Sequence, residues 1–310
     1  MRLAILTSGG DSPGMNAAVW RLDRAAAARG WTALGIPGGF AGLLARSAAP
    51  IDPAMAARFA RLGGTWLGTS RLPDLPARLG EIAGAIDALG IGGLVILGGN
   101  GSLAGAGRIA EAAGIPVVGI AGTIDNDVAV TDLSLGFDTA VAYGMEAADR
   151  LRDTAESLPR FFALETLGGP TGHIAAAVGR LAGAVATLIP EEDADLGKVT
   201  DAVGEALAAG DHALVVASEG VASLEATLGT IAEGVATRLR MVRLGHAQRG
   251  GSPSVRDRAA AAAYAALAVD AIAEGTSGIA ALKAGSLTLA TYAEHRDADA
   301  PDPRRWRGLL

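Results

Sequence analysis

Short apolar runs in this chain break off at clusters of glycine and small polar residues, and a longer amphipathic stretch follows each break. Residues 3–6 give way to Thr7-Ser8-Gly9-Gly10-Asp11, residues 94–97 to Gly98-Gly99-Asn100-Gly101-Ser102, and residues 117–120 to Ala121-Gly122-Thr123. An apolar run of about four to eight residues bounded by glycine has the length of a buried strand. Strands that alternate with helices require crossovers, so the strands of one sheet run parallel and helices cover both its faces. Further strands are expected at residues 33–36, 161–164, 213–217 and 241–244. Helices are expected at 14–29, 54–62, 102–113, 139–152, 174–186, 198–209 and 254–273. Gly30, Gly114 and Gly210 follow three of these stretches, where a left-handed C-terminal cap is wanted. The fold class is α/β, with two interleaved domains, each a mostly parallel sheet flanked by helices.

The chain has 310 residues, enough for two domains at about 100–200 residues each. Half of it is apolar but only 4% is aromatic, so small side chains must fill the core. A net charge of −7 and an isoelectric point near 5.2 argue against nucleic acid as a partner. There is no cysteine and hence no disulfide or thiol chemistry. The N-terminus opens on a strand pattern rather than a signal peptide, and the uncharged stretch 259–269 is too short to span a bilayer. A soluble cytoplasmic protein without membrane partners is expected.

Glycine lets backbone amides approach phosphate oxygens, and a helix N-terminus behind the loop adds positive potential. Three such loops at three strand ends favour a phosphate site, and Ser102 suits a helix N-cap. None fits the glycine-lysine-serine nucleotide loop or the spaced-glycine dinucleotide fingerprint. Thr123-Ile124-Asp125-Asn126-Asp127 then sets two carboxylates at the exit of a buried strand, where α/β sheets bind ligands. One acid can take a proton while the other helps to hold a metal ion. In Arg240-Met241-Val242-Arg243-Leu244-Gly245-His246-Ala247-Gln248-Arg249-Gly250-Gly251-Ser252-Pro253, the residues Arg240, His246 and Arg249 could converge on one anion. A solvated basic loop is the plainer reading. Glu219, at another strand exit, could hold a sugar hydroxyl, and Arg71 could bridge two phosphate sites.

These segments, in this order, resemble the bacterial 6-phosphofructokinase family from Met1 to about Ala273, with Gly136-Phe137-Asp138-Thr139-Ala140, Arg160 and Ile189-Pro190-Glu191 adding to the match. The resemblance implies transfer of a phosphoryl group from ATP to the 1-hydroxyl of fructose 6-phosphate, with Mg²⁺ as cofactor. On that pattern Asp125 is the base, and Arg71 and Thr123 complete the catalytic set. Gly10, Gly99, Asn100, Gly101 and Ser102 lie against the nucleotide. Asp127, Arg160, Glu219, Arg240, His246 and Arg249 contact the acceptor, and Asp127 and Asn100 hold the metal. Arg160 and Arg240 come from the neighbouring subunit, so a homo-oligomer, dimer or tetramer, with shared active sites is expected. The family's pyrophosphate users carry bulky residues where Gly101 and Gly122 stand; both positions read as open, which favours ATP.

The family's usual aspartate at position 100 is Asn100, and its Met-Gly-Arg is Leu167-Gly168-Gly169, which removes an arginine near the donor phosphates. Arg180 is a candidate to replace that charge. Trp20, Pro53, Asp211 and Val185 stand where many members place effector ligands, although Arg24 and Arg152 remain, so weak or absent effector control is expected. The expected domains are residues 1–136 plus 248–298 for nucleotide and 137–247 for sugar phosphate, with the site in the cleft between them and a loose surface tail at 299–310. A kinase for a different sugar phosphate and a catalytically impaired regulatory paralogue are the alternatives.

Overall fold

The computed structural model describes residues 1–157 and 160–308. The chain divides into two compact units: Met1–Thr139 with Arg249–Pro301, and Ala140–Gln248 with the segment beginning at Asp302.

In the first unit the sheet order is Ser286–Ala290, Gly278–Lys283, Val117–Thr123, Gly93–Gly98, Arg2–Ser8, Thr32–Gly35 and Ala49–Pro50. The inner pairings are parallel, and the outermost strand at each edge is antiparallel. Two short strands, Thr69–Ser70 and Leu135–Gly136, pair beside the exits of Arg2–Ser8 and Val117–Thr123. Residues Leu94, Val95, Ile96 and Leu97 are fully buried, as strands covered on both faces must be. One layer buries Ile82, Ile86 and Ile109 against Leu6, Leu94 and Ile96. On Met15–Ala28 and Val255–Ala273, which pack together, Ala18, Ala26, Ala261, Ala265 and Ala268 are buried. These alanines let two backbones approach closely, which is how a chain poor in aromatics fills its interior.

The second unit holds a parallel sheet in the order Leu239–Arg243, Phe161–Thr166, Ala213–Ser218 and Ala186–Leu188. Phe161, Val215, Val203, Leu228 and Ile231 form its core.

Gly30, Gly114 and Gly210 all take the left-handed conformation expected of them. Other expectations need correction. The helix expected to run to residue 186 ends at Leu181, and Ala186–Leu188 is a strand that pairs with Ala213–Ser218. Gly183, at φ +59°, reverses the chain between them. The antiparallel pair Gly278–Lys283 and Ser286–Ala290 was not anticipated, nor were the helices Gly39–Leu44, Leu79–Ala88 and Leu224–Gly234. The C-terminal segment does not simply trail over the surface: Tyr292–Asp297 is helical, and Pro303–Gly308 is a 3-10 helix packed on His173–Leu181. Positions 309 and 310 lie outside the described residues. Among the described residues no helix is long and apolar enough to cross a membrane.

Candidate active site

The strands Val117–Thr123, Gly93–Gly98 and Arg2–Ser8 are neighbours in the sheet, so their glycine-rich exits open side by side. Their spacing depends on the absence of side chains. A Cβ on Gly98 would stand 2.5 Å from the Ser8 carbonyl oxygen and 2.7 Å from Ser102 Cβ. The exits open into a cavity of about 530 Å³ lined by Gly9, Gly10, Gly99, Asn100, Gly101, Ser102, Thr123 and Asp125, with Arg71, Arg108 and Arg249 among its cations. Phe40, Leu72, Pro73, Leu75 and Pro76 supply an apolar wall. An apolar wall beside convergent polar groups is the usual form of a small-molecule site.

Ser102 is not the helix cap. Gly99 caps Asn100–Ala113 in an extended conformation, and Ser102 lies in the first turn, where its hydroxyl donates to Ser8 Oγ at 3.0 Å. The helix therefore starts nearer the strand than the serine suggests, and its N-terminal end faces the cavity. Gly101 has open space where a Cβ would point. Gly122 does not: a Cβ there would meet Met15 Cε at 2.8 Å, so the reading of both glycines as open holds only for Gly101.

Thr123 and Asp125 form a local turn. The threonine hydroxyl donates to Asp125 Oδ2 and accepts from the Asp125 amide, each at 3.2 Å. The next residue, Asn126, is buried at φ +53°, a conformation that asparagine tolerates better than most residues. Its Oδ1 accepts from the Ser134 amide at 2.8 Å and its Nδ2 donates to the Asp132 carbonyl at 3.2 Å, while Ser134 Oγ donates to the Thr123 carbonyl at 2.7 Å. The loop after the strand is thus tied to itself, and the half-buried Asp125 carboxylate stays on the cavity wall.

Asp127 lies beside that wall. Burial raises its carboxyl above the ordinary range, opposed by hydrogen bonds from its own amide and from Asn100 and by the charge of His295. Asn100 Nδ2 donates to the Asp127 carbonyl at 3.3 Å, and Asn100 Oδ1 faces His295 Nε2 at 3.0 Å. His295 is itself pushed down by burial. Nothing in the sequence marked His295 for this place, because it lies 195 residues from Asn100.

Gly10 and Arg249 meet closely: Arg249 Nη1 lies 2.7 Å from where a Gly10 Cβ would be. Arg249 Nε is buried and finds no hydrogen-bond partner among the described residues. A guanidinium left partly unpaired over a glycine loop suits an anionic ligand.

Arg160, Glu219, Arg240 and His246 belong to the second unit. Glu219 Oε1 accepts from the amides of Gly169 at 2.9 Å and Gly168 at 3.3 Å, so the carboxylate shapes the Leu167-Gly168-Gly169 turn. Arg240 sits on the edge strand Leu239–Arg243, and its Nη1 is buried without a hydrogen-bond partner among the described residues. Desolvation lowers its pKa, and the nearby charges of Arg238 and Arg160 lower it further. His246 is exposed on the 3-10 turn Gly245–Arg249. Arg180 ends the helix His173–Leu181 on an exposed face.

The phosphofructokinase family matches residues 2–272 of this chain. The ATP-dependent 6-phosphofructokinase of Streptococcus sanguinis (strain SK36) is 42% identical over 284 residues, covering 90% of this chain and 84% of the relative. That of Streptococcus agalactiae serotype III (strain NEM316) is 43% identical over 284 residues, covering 90% and 83%. Among solved structures, Pichia pastoris phosphofructokinase in the T-state superposes with a TM-score of 0.88 at 28% identity, covering 95% of this chain and 35% of that one. This chain thus spans about a third of the Pichia chain. The pyrophosphate-dependent phosphofructokinase from Marinobacter aquaeolei shares the fold, with a TM-score of 0.87 at 21% identity over 98% of this chain and 86% of that one. With the family covering most of its length and relatives above 40% identity covering nine-tenths of it, this chain belongs to the phosphofructokinase family.

Proposed function

We propose that the chain is an ATP-dependent 6-phosphofructokinase, which moves the γ-phosphoryl group of ATP to the 1-hydroxyl of fructose 6-phosphate. The observation that carries this reading is the meeting of three glycine-rich strand exits around one cavity with Asp125 on its wall. ATP as donor is supported by the names of the relatives and by the open space at Gly101.

Phosphoryl transfer asks little covalent chemistry of a protein; positioning and charge stabilisation do most of the work. Asp125 would accept the proton of the attacking hydroxyl, with Thr123 holding the carboxylate in line. Amides at Gly10, Gly99, Gly101 and Ser102 would face the phosphates at a helix N-terminus. Arg71 would stabilise charge on the moving group. On the acceptor side, Arg249, His246, Arg240 and Arg160 would bind the 6-phosphate and Glu219 a hydroxyl, the last two arginines coming from the neighbouring subunit of a homo-oligomer in the cytoplasm.

Mg²⁺ is the cofactor that this reading implies. Among the described residues no three acidic or histidine side chains form a protein-only metal cluster. Mg²⁺ with a nucleotide needs only one or two protein oxygens beside the phosphates and water. Asp127, with a carboxyl that burial makes costly to ionise, and the Asn100 amide oxygen would hold it. The ion would supply charge neutralisation on the phosphates.

One observation favours a second reading, a kinase for a different sugar phosphate. Glu219 is engaged by the amides of Gly168 and Gly169, in a turn that differs from the family's pattern, so the sugar side is read differently. Purified protein with Mg²⁺, offered ATP or pyrophosphate against a panel of sugar phosphates, decides. Turnover with ATP and fructose 6-phosphate is expected. Turnover only with another sugar supports the second reading, and turnover only with pyrophosphate overturns the donor assignment.

A further inference from the structure

Asp257 is fully buried in the first turn of the helix Val255–Ala273, 121 residues from the strand pair it serves. Its Oδ1 accepts from the Gly136 amide at 2.9 Å. Its Oδ2 accepts from the Thr139 amide at 2.9 Å and from the Thr139 hydroxyl at 2.5 Å. One carboxylate thus satisfies amides at the start of the helix Phe137–Glu156, a capping role supplied by another helix. The same threonine oxygen accepts from the Ser254 amide at 2.9 Å, and Ser254 Oγ accepts from the Asp257 amide at 3.1 Å, closing a small network.

Gly136 stands between the two segments that matter for phosphate chemistry. It pairs with Thr123 in the strand register, two residues before Asp125. At φ +103° it is packed so closely that a Cβ would meet Ser12 Cβ at 2.7 Å, Pro13 Cδ at 3.0 Å and Ile124 Cγ2 at 3.1 Å. Asp257 Cβ is also 3.7 Å from where a Gly14 Cβ would stand, at the cap of Met15–Ala28. The carboxylate therefore lies behind both the first glycine loop and the turn that carries Asp125, and it is not among the residues that line the cavity.

We propose that Asp257 is a positioning residue for phosphoryl transfer: by fixing Gly136 it sets the register of Leu135–Gly136 against Gly122–Thr123, and so aims the Asp125 carboxylate. This deepens the reading of the site as a phosphotransferase and rests on it. Burial lifts the Asp257 carboxyl above the ordinary range, opposed by its hydrogen bonds from Thr139 and the Gly136 amide. The requirement is chemical as well as steric. Each oxygen accepts from a backbone N–H, so an amide at this position must turn an NH₂ toward one of them.

The test compares the parent chain with Asp257→Asn and with Thr139→Val, which removes the hydroxyl's bonds to Asp257 and to the Ser254 amide and leaves both backbone amides bonded to the carboxylate. Three quantities are read: turnover with ATP and fructose 6-phosphate, nucleotide affinity by calorimetry, and amide hydrogen exchange across residues 122–136. A displaced reacting group costs rate far more than affinity, so Asp257→Asn should lose about ten- to a hundredfold in kcat with nucleotide Kd changed less than about threefold. Exchange should quicken in 122–136 and stay slow in the C-terminal half of Val255–Ala273. Thr139→Val should show the same pattern to a smaller extent, and it decides the matter alone if Asp257→Asn does not fold. Unchanged kcat in a folded variant overturns the proposal, as does exchange that rises uniformly across the unit with loss of nucleotide binding. Should the parent turn over no sugar phosphate, the phosphotransferase reading fails, and the exchange arm still judges whether Asp257 fixes this turn.

Discussion

Asp125 is held by the threonine hydroxyl two residues before it, and the next residue is pinned by Ser134 and Asp132. Its turn is therefore fixed by local hydrogen bonds. Replacing it with asparagine keeps the shape and removes the proton acceptor, so kcat should fall by about 10²–10⁴ while nucleotide Kd stays within error. At position 100 the structure makes a different forecast. The Asn100 amide donates to the Asp127 carbonyl and faces His295, and Asn100→Asp would set a second carboxylate beside one already made costly by burial. The free Mg²⁺ needed for half-maximal activity should fall in that variant; an unchanged Mg²⁺ profile would remove position 100 from the metal's surroundings. The polar lining at Gly10, residues 99–102, Thr123 and Asp125 was legible in the sequence because it sits in contiguous motifs at strand exits, whereas Arg108 and the apolar wall of Phe40, Leu72 and Leu75 were not. His295 and Asp257 were not, because their partners are 195 and 121 residues away and no local pattern announces such a contact.

Elements were legible where a period had room to repeat. The strand Gly93–Gly98 and the helices Asn100–Ala113 and Val255–Ala273 follow the apolar patterns that announce them, to within a residue or two. Ala186–Leu188 is three residues long, too short to show any alternation, and its sequence continues the alanine-rich pattern of the helix before it. Ser102 misled as a cap because Gly99, by adopting an extended conformation, begins the helix earlier than a side-chain cap would. Gly136 shows what a single element depends on. Gly136→Ala must accept a left-handed φ and contacts near 3 Å on three sides, so stability should fall by about 1–3 kcal/mol, read as a lowered Tm. The C-terminal turn offers a test with a pH sign. Hydrogen bonds from the side chain and then the amide of Arg304 pull the Asp302 carboxyl down to about 2 from 3.8. A depressed carboxylate adds stability above its unfolded value, and that gain is lost as pH falls toward 2. Asp302→Ala should therefore speed hydrogen exchange in Pro303–Gly308 at neutral pH, and the difference from the parent should vanish in strong acid.

For the molecule as a whole, the alternation of buried runs with amphipathic stretches was enough to require parallel sheets between helices, and both units have them. What that alternation could not give was the antiparallel border of the larger sheet, since Ser286–Ala290 follows Gly278–Lys283 with no helix between them. The assembly is tested by mixing. If Arg240 serves a neighbouring subunit, Arg240→Ala and Asp125→Asn proteins, each inactive alone, should regain turnover when dissociated and reassembled together, and no recovery would place Arg240 in its own subunit's site. The reading of the cavity as a phosphotransferase site is tested most directly by product formation. Parent and Asp125→Asn proteins should be incubated with Mg²⁺, ATP and fructose 6-phosphate, and the sugar followed by phosphorus NMR. Fructose 1,6-bisphosphate should accumulate with the parent and fall by at least about a hundredfold in rate with the variant. Equal rates in the two proteins, or no bisphosphate from either, would contradict it.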